Sequence, residues 1–338
     1  MIYRVPRLQP AAISSPTAPR LRGQDALRIA AIEEISRDAG SRFRAFDLDR
    51  DHDLTTEPKG FCGLQMNRPL IMGILNVTPD SFSDGGKFDE NALAIEQALR
   101  LVEQGADILD IGGESTRPGA VEVSIDDEIA RTAPLIQRLC DTGLGVPISI
   151  DTRKAPVARA ALEAGARIVN DVSALTWDRD MAKVVALAGA PLCLMHAQGT
   201  PQTMQKNPYY EDVRLDVRGW LDDAIARAEA GGLDRDLLIV DPGIGFGKTL
   251  EHNLALLNTL ALLHETGCAI LVGASRKRFI GTLSGVEQAE ARVAGSVAVA
   301  LHAASQGAQI IRVHDVEETR QALAVWQGLN KEKDGVQA

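Results

Sequence analysis

The chain has 338 residues, 45% of them apolar and 24% charged, the proportions of an ordinary globular protein, which excludes wholesale disorder. Its 36 Lys and Arg against 46 Asp and Glu leave a net charge of −10, which argues against a general binder of nucleic acid or anionic membrane. No apolar run approaches the roughly 18 residues of a transmembrane helix. Cys62, Cys140, Cys193 and Cys268 lack metal-binding spacing, so free thiols in a reducing cytoplasm are expected.

Residues 1–65 read as an N-terminal extension of unknown role. Arg4, Arg7, Arg20 and Arg22, with no acid before residue 25, give it a composition faintly like an organellar transit peptide. Pro6, Pro10, Pro16 and Pro19 spoil the amphipathic helix such a peptide needs. The spacing of Leu27, Ile29, Ile32 and Ile35 predicts a helix over 24–38, and the polar, acidic stretch 47–59 reads as a linker.

From residue 66 to about 330 short apolar runs alternate with amphipathic stretches. The runs begin near Leu70, Ile108, Val146, Ile168, Leu192, Leu237, Ala269 and Ile310, and the helical patterns include 89–104, 155–164, 213–230, 250–265 and 290–306. Alternating β and α elements imply parallel strands with right-handed crossovers, and eight such units in this length predict an α/β fold, a (β/α)8 TIM barrel. Gly105-Ala106, Gly165-Ala166 and Gly307-Ala308 repeat one motif, a glycine that ends a helix just before a strand. The rival, a doubly wound open sheet, lacks its dinucleotide fingerprint. Residues 331–338 form a polar tail.

In such a barrel chemistry collects where strands pass into the following loops. Asn76 opens a loop rich in Pro, Gly and hydroxyls and is either a turn starter or an amide-oxygen ligand for a hard cation. Arg117 sits in a tight Gly-rich turn and offers its fork to an anion. Asp151, Asn170-Asp171 and Asp241 end apolar strands; together they suggest a polar recess for a heterocycle with several N–H and C=O groups. In 241–249 proline at 242 rules out a P-loop and Lys248 spoils the dinucleotide pattern, so the glycines are read as bringing backbone near a flat ligand and letting Phe246 reach it. Ser275-Arg276-Lys277-Arg278 starts a helix with three bases, and Arg312 and His314 share one face of the last strand. An acidic protein with a basic rim at one mouth fits a small phosphorylated substrate.

Five segments resemble the dihydropteroate synthase family. They are Ile74 to Gly86 (ILNVTPDSFSDGG), Gly112 to Gly119 (GGESTRPG), Asp241 to Lys248 (DPGIGFGK), Ser275-Arg276-Lys277 and Arg312-Val313-His314-Asp315. The resemblance runs over about 68–328 in the family's order. It implies a transferase of folate biosynthesis that joins (7,8-dihydropterin-6-yl)methyl diphosphate to 4-aminobenzoate and releases pyrophosphate. It further implies that Asp151, Asn170, Asp241 and Lys277 hold the pterin, with Arg312 stacked on its ring. Thr116, Arg312, Val313 and His314 would meet the pterin diphosphate. Phe82, Thr116, Arg117, Pro118, Phe246, Ser275 and Lys277 would shape the aminobenzoate site, Asp84 would help close it, and Asn76 would bind Mg²⁺. Asp84, Arg117 and Lys277 are the candidate catalytic residues. A homodimer through the outer helices, small-molecule substrates and a cytoplasmic location are also implied. The alternatives are a methyltetrahydrofolate–corrinoid methyltransferase, which needs no diphosphate or aminobenzoate site, and a non-catalytic pterin-binding barrel.

Overall fold

The computed structural model describes residues 1–77, 87–115, 120–200 and 202–332. Its centre is a closed parallel barrel. In chain order the barrel strands and their helices are β4 (Leu70–Asn76), α2 (Lys87–Glu103), β5 (Ile108–Gly112), α3 (Ile125–Asp141), β6 (Ile148–Asp151), α4 (Ala155–Glu163), β7 (Ile168–Asp171) and α5 (Met181–Ala188). The second half follows with β8 (Leu192–Met195), α6 (Val213–Ala230), β9 (Leu238–Asp241), α7 (Leu250–Asn258), β10 (Ala269–Val272), α8 (Arg278–Ser284), α9 (Val293–Ser305), β11 (Ile310–Val313) and α10 (Val316–Asn330). Each strand pairs with its sequence neighbour, and β11 closes the ring on β4. The (β/α)8 expectation is therefore met.

Local chemistry sets the helix starts. The Ser124 hydroxyl accepts from Asp127 N at 3.1 Å, and Thr249 forms a reciprocal capping box with His252. Gly105, Gly165 and Gly307 have φ of 103°, 112° and 85°, the left-handed region a side chain avoids, at the turns that lead back into strands.

Strand alternation divides the barrel interior into a floor and a mouth. Met72, Ile108, Ile168, Cys193, Ile239, Leu271 and Ile310 share a buried apolar cluster. Two residues further along four of those strands stand Asp110, Asn170, Asp241 and Arg312, so one strand face runs from apolar floor to polar mouth. The residues of opposite parity, such as Leu109, Val169, Val240 and Ile311, bury against the helices in the main core.

The extension departs from its reading. Residues 24–38 are not a helix but contain strand β2 (Leu27–Ser36), the centre of an antiparallel sheet with β1 (Tyr3–Pro10) and β3 (Gly40–Arg44). The helical spacing has two sources, burial of both faces of the strand near Ile35 and a bulge before Ile32: Arg7 pairs with Ala31 and Leu8 with Ile29, so Ala30 is an extra residue. That insertion returns Ile32 to the face of Leu27 and Ile29, in one cluster with Leu21 and Leu54, while Ile35 packs with Val5 against Leu215, Ala261 and Leu262. Residues 47–59 are not a free linker either. They include α1 (Leu48–Asp51), and the buried Asp51 carboxylate receives Arg44 at 2.6 and 2.8 Å.

The connection between β1 and β2 and the segment after the sheet cover the barrel end opposite the mouth, while the strands pack against α6 and residues 260–266. Arg22 Nη2 donates to Gly267 O at 2.8 Å, Gln24 Nε2 to Ala308 O at 3.1 Å, and Phe61 and Met66 complete the apolar floor. All four cysteines are free thiols, as expected. Among the described residues no helix is long and apolar enough to cross a membrane.

Candidate active site

The mouth is organised around Arg312. Its Nε donates to Asp110 Oδ2 at 2.6 Å and its Nη2 to Asp151 Oδ2 at 2.7 Å, and Asn170 Nδ2 also donates to Asp110 Oδ2 at 3.1 Å. The remaining oxygen of each carboxylate, Oδ1 of Asp110 and of Asp151, is buried without a hydrogen-bond partner among the described residues. A buried acceptor left unsatisfied is costly, so two of them beside an amide suit a ligand that brings N–H groups. Burial pushes the Asp151 carboxyl up to about 7, against the pull of Arg312 and with a further push from Asp110. Burial likewise raises Asp241, which Lys277 opposes; its Oδ1 accepts from Gly243 N at 2.7 Å.

Lys277 lies at the N-cap of α8 with its ammonium 4.5 Å from the centre of the Phe246 ring, and it donates to Ile244 O. Burial brings it down to about 8; Asp241 resists that shift and Arg312 adds to it. Ser275 Oγ lies 3.0 Å from His314 Nδ1 and accepts from His314 N at 3.2 Å. The structure thus brings Asp151, Asn170, Asp241, Lys277 and Arg312 into one mouth, flanked by Phe246, Ser275 and His314. Asn76 ends β4, its Oδ1 3.7 Å from where a Cβ on Gly112 would lie.

Two readings are corrected. Of the three bases after β10 only Lys277 turns to the site: Arg276, at φ 59°, pairs with Asp315, and Arg278 is exposed. Val313 packs in the core between strands and helices, so any contact with substrate is through its backbone. The alternation that aims Arg312 inward turns Val313 outward. Two of the three glycines of 243–247 answer to protein backbone: a Cβ on Gly243 would meet the carbonyl of His196, and one on Gly247 would lie 2.6 Å from that of Gln198. Phe82, Asp84, Thr116, Arg117 and Pro118 lie outside the described residues.

Sequence reasoning gave Asp110 no role, although it shares strand parity with Ile108 two positions before it, and that parity aims it into the mouth. It also passed over buried Lys154, which joins Glu128 at 2.7 Å and Glu114 at 3.0 Å and donates to Val123 O. Nothing in the spacing of these residues signals the contact.

A family model described as "Pterin binding enzyme" matches residues 72–314, most of the chain and all of the mouth described above. The chain belongs to the pterin-binding enzyme family. Within it, the dihydropteroate synthase of Escherichia coli (strain K12) is 47% identical over 262 residues, 78% of this chain and 92% of that protein. A structure of the Xanthomonas albilineans dihydropteroate synthase with 4-aminobenzoic acid superposes with a TM-score of 0.74 at 48% identity, covering 79% of this chain and 94% of that one. The same enzyme in complex with 7,8-dihydropteroate matches with a TM-score of 0.72 at 46% identity over 79% and 95% of the two chains. These shares leave about a fifth of this chain outside each match.

Proposed function

We infer that the chain is a transferase of folate biosynthesis, a dihydropteroate synthase. It condenses (7,8-dihydropterin-6-yl)methyl diphosphate with 4-aminobenzoate to 7,8-dihydropteroate and pyrophosphate. The observation that carries this reading is the mouth itself, where two carboxylate oxygens without a partner among the described residues, an amide and Asp241 surround an arginine and a lysine. The first group suits the N–H-rich edge of a pterin, and the second suits its anionic tail.

Asp151, Asn170 and Asp241 hold the pterin edge with Lys277, while Arg312, fixed in plane by its two carboxylates, lies against the ring and meets the diphosphate with Thr116 and His314. Phe246, Ser275 and Lys277 line the aminobenzoate side, completed by Phe82, Thr116, Arg117 and Pro118, with Asp84 on the loop that closes the site. These last five roles, with Thr116 toward the diphosphate, rest on the family resemblance. Displacement is dissociative, because the electron-rich pterin tolerates cationic character at its methylene once charge on the departing pyrophosphate is neutralised. The amine of aminobenzoate then needs no general base.

Among the described residues no group of three or more His, Cys, Asp or Glu stands ready to hold a metal ion. The Asn76 amide is a hard oxygen donor at the strand end and fits Mg²⁺, which keeps waters and takes most of its other oxygens from substrate phosphates. When bound it would supply charge neutralisation on the leaving group. The family resemblance also supports a cytoplasmic homodimer, and Leu283 of α8 with Val325 and Leu329 of α10 are exposed apolar side chains on outer helices. Light scattering tests the dimer. Steady-state formation of dihydropteroate tests the activity, and a secondary deuterium isotope effect at the pterin methylene tests the displacement. A large normal effect is expected, and none would show an associative path.

A further inference from the structure

Lys248 is buried, 3% exposed, and none of the contacts assigned to substrate uses it. Its Nζ lies 2.8 Å from His196 Nδ1, donates to Phe246 O at 3.0 Å and reaches His196 O at 3.5 Å. Among the described residues it forms no ion pair with a carboxylate, so its nearest partners are neutral acceptors. Burial drives Lys248 well below the usual lysine value and holds His196 neutral, down to about 2, with Lys248 adding to the shift. An apolar side chain would fill the same space without the desolvation cost of an amine.

The contacts indicate what the amine does there. His196 follows β8 and is wedged edge-on against Trp220 of α6, with ring centres 4.9 Å apart. Phe246 belongs to the loop after β9, and the hydroxyl of Tyr210 donates to the carbonyl of Gly247 in that same loop at 2.9 Å. Lys248 therefore ties the loop after β9 to a rigid imidazole on the loop after β8, and it holds the carbonyl of the residue whose ring faces Lys277. A Cβ on Gly245 would stand 3.1 Å from Lys277 Cδ, so this loop has little room to shift without moving the lysine.

We propose that Lys248 is a positioning residue of the aminobenzoate pocket, its buried amine anchoring the Phe246 carbonyl on His196 and thereby setting the Phe246 ring against Lys277. The inference rests on the assignment of Phe246 to that pocket. It is tested with Lys248→Met, Phe246→Ala and the double variant, measuring KM for 4-aminobenzoate, kcat, the Kd for pterin diphosphate and Tm. Lys248→Met is expected to raise KM about tenfold, the scale of a sub-ångström misplacement. The Kd for pterin diphosphate should stay within about twofold, and the KM effect should vanish in the Phe246→Ala background, since both changes act on one ring. His196→Ala and His196→Asn probe the same clamp from its other end. Alanine should raise KM as Lys248→Met does, and asparagine, with an amide oxygen near the Nδ1 position, should restore it. An equal KM effect of Lys248→Met in both backgrounds, or a fall in Tm with KM unchanged, overturns the proposal. If Phe246→Ala alone leaves KM unaltered, the pocket assignment fails first and the inference with it.

Discussion

The Nε of Arg312 donates to Asp110 Oδ2 at 2.6 Å, so the last barrel strand is fixed to the second across the mouth. A charge-assisted bond of this kind in a buried site is worth about 1.5–3 kcal/mol. Asp110→Asn keeps the shape and removes the charge, and it is expected to weaken binding of pterin diphosphate by about tenfold or more. Calorimetric titration reads this directly; unchanged affinity would show that Asp110 does not orient the guanidinium.

The pH dependence follows from two shifted groups. Asp151, raised to about 7, loses its negative charge below that pH, and Lys277, lowered to about 8, loses its positive charge above it. The free enzyme's kcat/KM for the pterin substrate is therefore expected to rise through about pH 7 and fall through about pH 8. Lys277→Arg should move the alkaline limb upward and leave the acid limb in place. Stability has the opposite sense at each group. From about pH 4 to 7 the folded chain holds the Asp151 proton that the unfolded chain has lost, so stability falls as pH rises; from about 8 to 10 the unfolded chain binds the extra proton at Lys277 and stability rises. Chemical denaturation of Asp151→Asn across pH 4–7 should lack that fall.

Lys277 carries a cost that its function offsets. Lys277→Met is expected to lower turnover about a hundredfold or more, the scale of losing one electrostatic stabiliser, with Tm unchanged or raised. A variant that loses activity and Tm together would mean that Lys277 is structural.

The extension is predicted to support stability and not catalysis. Phe61 is buried in the barrel floor, away from the mouth, and Phe61→Ala is expected to cost about 3–5 kcal/mol in denaturant unfolding with both KM values unchanged. Deleting residues 1–60 should likewise lower Tm, because it uncovers the end of the barrel that Gln24 and Arg22 bind. Unchanged melting in that deletion would show that the sheet contributes nothing to the barrel.

The barrel was legible because each unit repeats one pattern, and because a strand that ends in Asp or Asn after apolar residues has few other uses. The five motifs carried the family. Asp110 was also legible in principle, since it lies two residues after Ile108 on an inward face. The extension was misread for a definite reason: the bulge at Ala30 turns a strand's period of two into a spacing of three, burial of both faces near Ile35 adds another, and no local rule separates that from a helix turn. Lys248 and His196 stand 52 positions apart and meet only because β8 and β9 are neighbours in the barrel.

The most direct test follows pyrophosphate and dihydropteroate together, with the purified chain, pterin diphosphate and Mg²⁺, in the presence and absence of 4-aminobenzoate. Stoichiometric appearance of both products, dependent on 4-aminobenzoate, is the expected result. Tight binding of the pterin diphosphate with no dihydropteroate formed would contradict the synthase assignment and leave a barrel that binds pterin without joining it to aminobenzoate.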